Sequence, residues 1–415
     1  MGRMGGIPHV ACCHWRIRRL TLLEDLTPQP EDPILAMMDR FRNDPRADKI
    51  DLGIGIYRNS DGITPVMRAV KLAEHQLLNQ QSSKSYTSLS GDPAFVHALA
   101  TLVLSDKADL SCIAGAGTVG GTGAIRQGLD LIRLARPDAT VHIPDPSWPN
   151  HKAIIQAVGL TCETYRYFDA QTGALDMEGL VCDLRDVPKD DVVLLHGCCH
   201  NPTGADPNSQ RWGDIIQALQ ASGATVVIDF AYLGLGDGLD EDAAATRRIL
   251  RDIPETIIAI SCSKNFGLYR DRAGAVLVNA KTPEHAKIVQ GNLSTLNRLA
   301  YSFPADHGAK VAEMILNDAE LRAEWINELA EMRNRINDLR KTLANALLAQ
   351  SNSERFALLG APRGMFSRLN ATPDQIKPLR EDHGIYLIGD GRMNIAGLSL
   401  DDIPRLARAI ATVCV

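Results

Sequence analysis

Lys264 stands in the run Ser261-Cys262-Ser263-Lys264-Asn265-Phe266-Gly267, directly after the apolar stretch Thr256-Ile257-Ile258-Ala259-Ile260. A short, β-branched apolar run of this kind reads as a buried strand, which puts the lysine just past a strand's carboxyl end. In open α/β sheets the ligand crevice lies outside those ends. A primary amine there can form a Schiff base with an aldehyde. Most lysines are solvated surface groups, so the reading depends on what else converges on the same place. Three further apolar runs bear on it. Asp191-Val192-Val193-Leu194-Leu195 leads into His196-Gly197-Cys198-Cys199-His200-Asn201-Pro202-Thr203-Gly204, and Ala224-Thr225-Val226-Val227-Ile228 ends in Asp229-Phe230-Ala231-Tyr232. Thr140-Val141-His142-Ile143 ends in Pro144-Asp145-Pro146-Ser147-Trp148-Pro149-Asn150-His151. Buried at such an end, Asp229 needs a cationic partner or good hydrogen bonds, because an isolated buried carboxylate is strongly disfavoured.

A glycine-rich segment, Gly117-Thr118-Val119-Gly120-Gly121-Thr122-Gly123, precedes the helical pattern from Ala124 to Ile132. Glycines leading into a helix N-terminus expose backbone N–H groups and the positive end of the dipole, which suits a phosphate. One crevice then holds an amine, a carboxylate and an anion site. Pyridoxal 5'-phosphate asks for those three: a lysine for its aldehyde, a carboxylate for its pyridinium nitrogen and a phosphate cradle. A rival reading is a nicotinamide-dependent dehydrogenase, since Gly115-x-Gly117-x-x-Gly120 satisfies the dinucleotide fingerprint and Asp145 lies about 25 residues on. That fingerprint belongs in the first βα unit of its domain. Here more than a hundred residues precede it, and Lys264 and Asp229 are left without a task.

Along the chain, VGGTGAIR, DPSWPNHK, HGCCHNPTGAD, IDFAYLG, SCSKNFGLYRDR and DGRMNIAG together resemble the aspartate and aromatic-amino-acid aminotransferases, fold-type-I pyridoxal-phosphate enzymes. The likeness runs from about Leu23 to the C-terminus. It implies that Lys264 carries the cofactor as a Schiff base and then moves the proton between Cα and C4′. It further implies that Asp229 keeps the pyridine nitrogen protonated, supported by His151. Tyr232 and Asn201 donate to the phenolic oxygen, and Trp148 stacks on the ring. The phosphate cup comprises Gly121, Thr122, Ser261, Ser263 and Arg272, with Tyr86 reaching in from a second subunit. Arg392 grips the substrate α-carboxylate, and Asn201 and Trp148 also face the substrate. Arg298 binds a distal carboxylate from the neighbouring subunit, and Gly55, in Gly53-Ile54-Gly55, closes over the substrate. The runs NRLAYSFPADHGAK, RGMFSRL and IYLIGDGRMNIAGL are similar to the bacterial aromatic-amino-acid subgroup.

The activity so implied is ping-pong transamination of aromatic amino acids, aspartate or both with 2-oxoglutarate, by a homodimer with shared sites. A β-decarboxylase or a carbon–sulfur lyase on the same scaffold is the alternative within this chemistry. Some positions depart from the family's usual residues: Leu233 stands where glutamine is common, Ser85 where asparagine often stands, and Asp271 where glutamate is usual.

At 415 residues the prior is two to three domains. The resemblance implies an α/β fold: a large domain (65–331) with a mostly parallel sheet flanked by helices, plus a smaller α/β domain (22–64 and 332–415). Alternating strand and helix signals from Gly62 to about Asp318 agree with such a sheet. From Asp318 onward, Leu321, Trp325, Leu329, Met332, Ile336, Leu339 and Leu343 recur at three- and four-residue steps, which predicts one long amphipathic helix. Pro33 to Phe41 predicts a short helix, and Ile50-Asp51-Leu52 a strand. Residues 1–21, with four arginines and no acid, predict a disordered leader. A net charge of −6 provides no basic field for nucleic acid, and no apolar run of about twenty residues suggests a membrane span. Nine scattered cysteines without a CxxC pair favour a reducing, cytoplasmic setting. Adjacent Cys198 and Cys199 lack zinc-finger spacing, so no metal is expected.

Overall fold

The computed structural model describes residues 23–28, 31, 33–105 and 107–414, together with Gly2. Apart from Gly2, the predicted leader at 1–21 lies outside the described residues. The early helix is present as α1 (Pro33–Asn43), and α2 spans Arg68–Gln80. The central sheet has seven strands: β1 (Ile113–Val119), β2 (Thr140–Asp145), β3 (Thr161–Arg166), β4 (Val192–His196), β5 (Thr225–Phe230), β6 (Thr256–Ser261) and β7 (Ala273–Asn279). Their order is β1-β7-β6-β5-β4-β2-β3, and only β7 runs antiparallel to its neighbours.

The runs Val192–His196 and Thr256–Ser261 are buried at every residue, as strands covered on both faces must be. Winding proceeds from β4 towards β5 and β6 on one side and from β2 to β3 on the other, so the order reverses between β2 and β4. A sheet of this kind opens its crevice at that reversal. Both flanking strand ends carry predicted site residues. In register, His196 pairs with Asp229 and Asp229 with Ala259, so each of these strands ends one residue beyond its neighbour.

The glycine-rich segment differs from its expected form. Gly117 lies inside β1, and helix α3 (Gly120–Ala135) begins at Gly120, not at Ala124. Gly120 takes a left-handed φ of 64° and donates its N–H to the Arg272 carbonyl at 2.7 Å, which turns strand directly into helix. The dinucleotide fingerprint fails for the same reason. Gly115 and Gly117 belong to an edge strand, and a Cβ at Gly115 would strike Val96 and Leu277. Close packing explains that glycine better than a turn does.

Helix α4 (Pro149–Val158) follows β2, and α5 (Pro283–Ala300) follows β7. The long helix predicted from Asp318 is α6 (Ala319–Ser351), with Asp318 capping it by accepting the Glu320 and Leu321 N–H groups at 2.9 Å. Residue 332 lies within this uninterrupted helix. Its buried stripe includes Trp325, whose ring stacks on Phe266 and whose Nε1 donates to the Asn265 carbonyl at 2.7 Å. Towards its C-terminal end α6 packs against the final helix α7 (Ile403–Cys414). Beside it, β8 (Phe366–Arg368) pairs antiparallel with β9 (Arg392–Asn394), and Ile50–Asp51 pairs with Ile385–Tyr386. Among the described residues, no helix is long and apolar enough to cross a membrane.

Candidate active site

A cavity of about 190 Å³ opens at the carboxyl ends of β4, β5 and β6. Gly55, Gly121, Thr122, Trp148, Asn201, Asp229, Tyr232, Ser261, Ser263, Lys264, Arg272 and Arg392 all line it. These residues are spread over more than three hundred positions of sequence, and the parallel sheet brings them together.

Lys264 sits three residues beyond β6, with its Nζ 5.2 Å from the centre of the Tyr232 ring. Burial lowers its pKa, the Asp229 charge opposes that, and Arg272 adds to it, so a neutral amine becomes more accessible. Asp229, the penultimate residue of β5, accepts from His151 Nε2 at 3.0 Å. Burial pushes its carboxyl up, but the His151 hydrogen bond and the charges of His151, His196 and Lys264 outweigh this. The net shift is downward, and Asp229 remains an anion. His151 does not line the cavity; it stands behind Asp229 in the first turn of α4. Its Nδ1 accepts from Ser147 Oγ at 2.8 Å, and its ring meets Trp148 edge-on. Ser147 in turn lies 3.5 Å from His196 Nε2, while His196 Nδ1 accepts the Asn201 N–H at 3.2 Å.

At one end of the cavity, Arg272 has a left-handed φ of 56° and donates to Ser263 Oγ and the Tyr269 carbonyl. A Cβ at Gly120 would lie 2.6 Å from its guanidinium, and one at Gly121 2.8 Å from Ser261 Cβ. Only glycines allow the start of α3 to approach this closely. At the other end, buried Arg392 donates to Asn201 Oδ1 at 3.3 Å and the Gly53 carbonyl at 3.1 Å, with its Cζ 4.8 Å from the Phe366 ring centre. Its Nε is buried without a partner. Among the described residues, no carboxylate forms an ion pair with Arg272 or Arg392. Two uncompensated guanidinium groups at opposite ends of one cavity suit a ligand with two anionic groups. Between them, Asn201 Nδ2 donates to the Tyr232 hydroxyl oxygen at 3.3 Å.

A family model for class I and II aminotransferases matches residues 47–410. The aromatic-amino-acid aminotransferase of Paracoccus denitrificans is 50% identical over 392 residues, covering 94% of this chain and all of that protein. The aspartate aminotransferase of Escherichia coli K12 is 39% identical over 395 residues, again 94% of this chain and all of the relative. The chain belongs to the class I and II aminotransferases. A Burkholderia pseudomallei aromatic-amino-acid aminotransferase solved covalently bound to pyridoxal phosphate superposes with a TM-score of 0.92 at 36% identity, over 95% of this chain and 100% of that one.

As an aminotransferase the protein depends on pyridoxal phosphate, and its donor set fits that group. A half-buried amine, a buried carboxylate held as an anion, and an arginine beside glycines with no room for a Cβ meet the three needs of aldehyde, ring nitrogen and phosphate.

Besides His151, two further predicted residues do not line this cavity. Tyr86 is 81% exposed and stacks on Phe303, and Arg298, near the end of α5, donates to Ser302 Oγ at 2.6 Å. Three others line it without having been anticipated: Ile34 from α1, Ala231 and Phe366. Ala231 lay within a recognised motif. Phe366 lay within another, RGMFSRL, and packs so closely on Gly55 that a Cβ there would come within 2.9 Å of its ring. The Cys198 and Cys199 thiols gather with Asp242. Burial raises both thiols, and the Asp242 carboxylate already accepts from the Gly234, Gly236 and Asp237 N–H groups.

Proposed function

We propose that this aminotransferase transfers the amino group of aromatic amino acids and of aspartate to 2-oxoglutarate by a ping-pong mechanism. The observation that carries the reading is Arg392. It is a buried guanidinium with an unpartnered Nε and no carboxylate partner among the described residues, facing the cavity that holds Lys264. Such a group is stable when an α-carboxylate completes it. The donor and the acceptor 2-oxo acid share that carboxylate, so one arginine serves both halves of the cycle. The names of the relatives, aromatic-amino-acid and aspartate aminotransferase, support both donor classes.

Bound pyridoxal phosphate supplies an aldehyde for Schiff-base formation and a ring that stores the electron pair released at the substrate's Cα. The rest is the work of the chain's own residues. Lys264, its pKa lowered by burial, would anchor the aldehyde and, once released as a free amine, would carry the Cα proton. Asp229, held ionised by His151, keeps a proton on the ring nitrogen. Tyr232 and Asn201 hold the phenolic oxygen. Burial, and next the Asp229 charge, push the Tyr232 hydroxyl well above its usual pKa, so it remains a donor. Trp148 would cover the ring, while Gly121, Thr122, Ser261, Ser263 and Arg272, which line the same cavity, would hold the phosphate. Gly55 and Phe366 close the substrate side.

We further read two copies as sharing their sites. Tyr86 and Arg298 do not line their own chain's cavity, which supports their serving the partner's phosphate and distal carboxylate. Small and large domains dividing at about 64 and 332 follow from the same reading. A cytoplasmic setting is supported by the seven described cysteines, all without disulfides.

The test is steady-state kinetics with varied amino acid against varied 2-oxoglutarate, together with Lys264→Ala. Parallel double-reciprocal lines, and loss in the variant of both the visible Schiff-base band and turnover by at least about a thousandfold, are expected. Turnover without any 2-oxo acid would point to lyase or decarboxylase chemistry instead.

A further inference from the structure

One buried side chain joins the two segments that carry Tyr86 and Arg298. Asn297, next to Arg298 on α5, is fully buried and lies outside the cavity's lining. Its Nδ2 donates to the Leu89 carbonyl at 2.9 Å and to the Gly117 carbonyl at 3.1 Å. Its Oδ1 accepts from the Tyr301 hydroxyl at 2.7 Å. Leu89 lies in the irregular segment that carries Tyr86, and Gly117 lies in β1, just before the glycines that start α3. The same segment is tied down again where the Gly117 N–H donates to the Ser90 carbonyl at 2.8 Å. The Tyr86 ring then stacks on Phe303, beyond the end of α5, at 4.6 Å and 14°.

A primary amide has two N–H donors and a carbonyl in one plane, and Asn297 uses both ends. Leucine supplies no donor. Aspartate would set an anion against two carbonyl oxygens, leaving buried groups unsatisfied.

We infer that Asn297 is a positioning residue for the partner subunit's active site, fixing Tyr86 and Arg298 relative to each other so that both arrive there together. The inference rests on the shared-site reading above. It assigns Asn297 no contact with substrate or cofactor, so its effect must appear in trans.

Hybrid dimers with a single live Lys264 test this. In the first arrangement Asn297→Leu is placed on the chain bearing Lys264→Ala, so the live site receives Tyr86 and Arg298 from the altered chain. In the second it is placed on the chain with the live lysine. The first should raise the KM for 2-oxoglutarate about tenfold while changing kcat less than about threefold, and should speed cofactor release followed by absorbance. The second should match the unaltered hybrid. Tyr301→Phe, which removes the bond onto Oδ1 together with the hydroxyl's longer 3.4 Å contact to the Gly117 carbonyl, should show the same pattern more weakly, and it carries the test if Asn297→Leu does not assemble. Equal defects in both arrangements, or none in either, overturn the inference. Arg298→Ala in the first arrangement separates the two levels. If it leaves the KM for 2-oxoglutarate unchanged, the shared-site reading falls and takes Asn297 with it. If it raises that KM while the Asn297 and Tyr301 variants do nothing, only the role of Asn297 falls.

Discussion

Arg392 shows how a single residue can anticipate its ligand. Burial lowers its pKa, its Nε has no partner, and its bonds go to a side-chain amide and a backbone carbonyl, both neutral. A lysine there keeps the charge but cannot fork onto a carboxylate. Arg392→Lys should lower kcat/KM for amino donor and 2-oxo acid alike, by about 30- to 100-fold, or roughly 2–3 kcal/mol. A loss confined to one substrate class would remove it from the shared carboxylate site. His196 makes a prediction of a different kind. Burial first, then the His151 charge, lower its pKa from 6.5 to about 3, with Asp229 acting in the opposite sense. Between those values the unfolded chain binds a proton that the folded chain refuses. The group's contribution is therefore present above about pH 6.5 and declines as pH falls, by up to about 1.4 kcal/mol per unit. Comparing urea midpoints of wild type and His196→Gln, the stability difference should shift against wild type as pH drops from about 7 to about 4. Groups common to both proteins, Asp206 among them, cancel in that difference. A pH-independent difference would mean that His196 titrates normally.

At the scale of elements, α6 does more than connect. Trp325 is fully buried, stacks on Phe266 and holds the Asn265 carbonyl, and those two residues directly follow Lys264. The long helix therefore clamps the loop that presents the amine. Trp325→Ala should cost about 3–5 kcal/mol, and Leu339→Ala on the same buried stripe about 2–5 kcal/mol. Both should lower Tm, but only Trp325→Ala should speed loss of the cofactor, read from the decay of its absorbance. Equal rates of loss in the two variants would show that the clamp contributes stability alone. The helix itself was legible from apolar residues at three- and four-residue steps. Its grip on the lysine loop was not, because nothing in either segment specifies the other across sixty residues.

For the molecule as a whole, the shared-site reading makes activity depend on assembly. Specific activity measured across a dilution series should fall in step with the dimer fraction from sedimentation. Full activity in a sample that sediments as monomer would end the reading. Within one chain the sheet is the organiser. It steps the ends of β4, β5 and β6 by one residue each, and the reversal between β2 and β4 opens the cavity where the motifs end.

Strand runs, the long helix and the motif residues were readable along the chain because each is a local pattern: a short β-branched run, a 3.6-residue period, or a reactive side chain just past a strand. Lys264 and Asp229 could thus be named with no knowledge of who neighbours whom, and Tyr232 through the resemblance of its motif. The glycine segment was read less well. Whether Gly117 and Gly120 form a loop, or end a strand and open a helix, is settled by the approach of Arg272 from β7's side of the sheet. Phe366 beside Gly55, Trp325 against Asn265 and Phe266, and Asn297 between Tyr86's segment and β1 belong wholly to the tertiary structure. Each is a contact between distant segments, and its steric and hydrogen-bonding demands exist only once the sheet has brought those segments together.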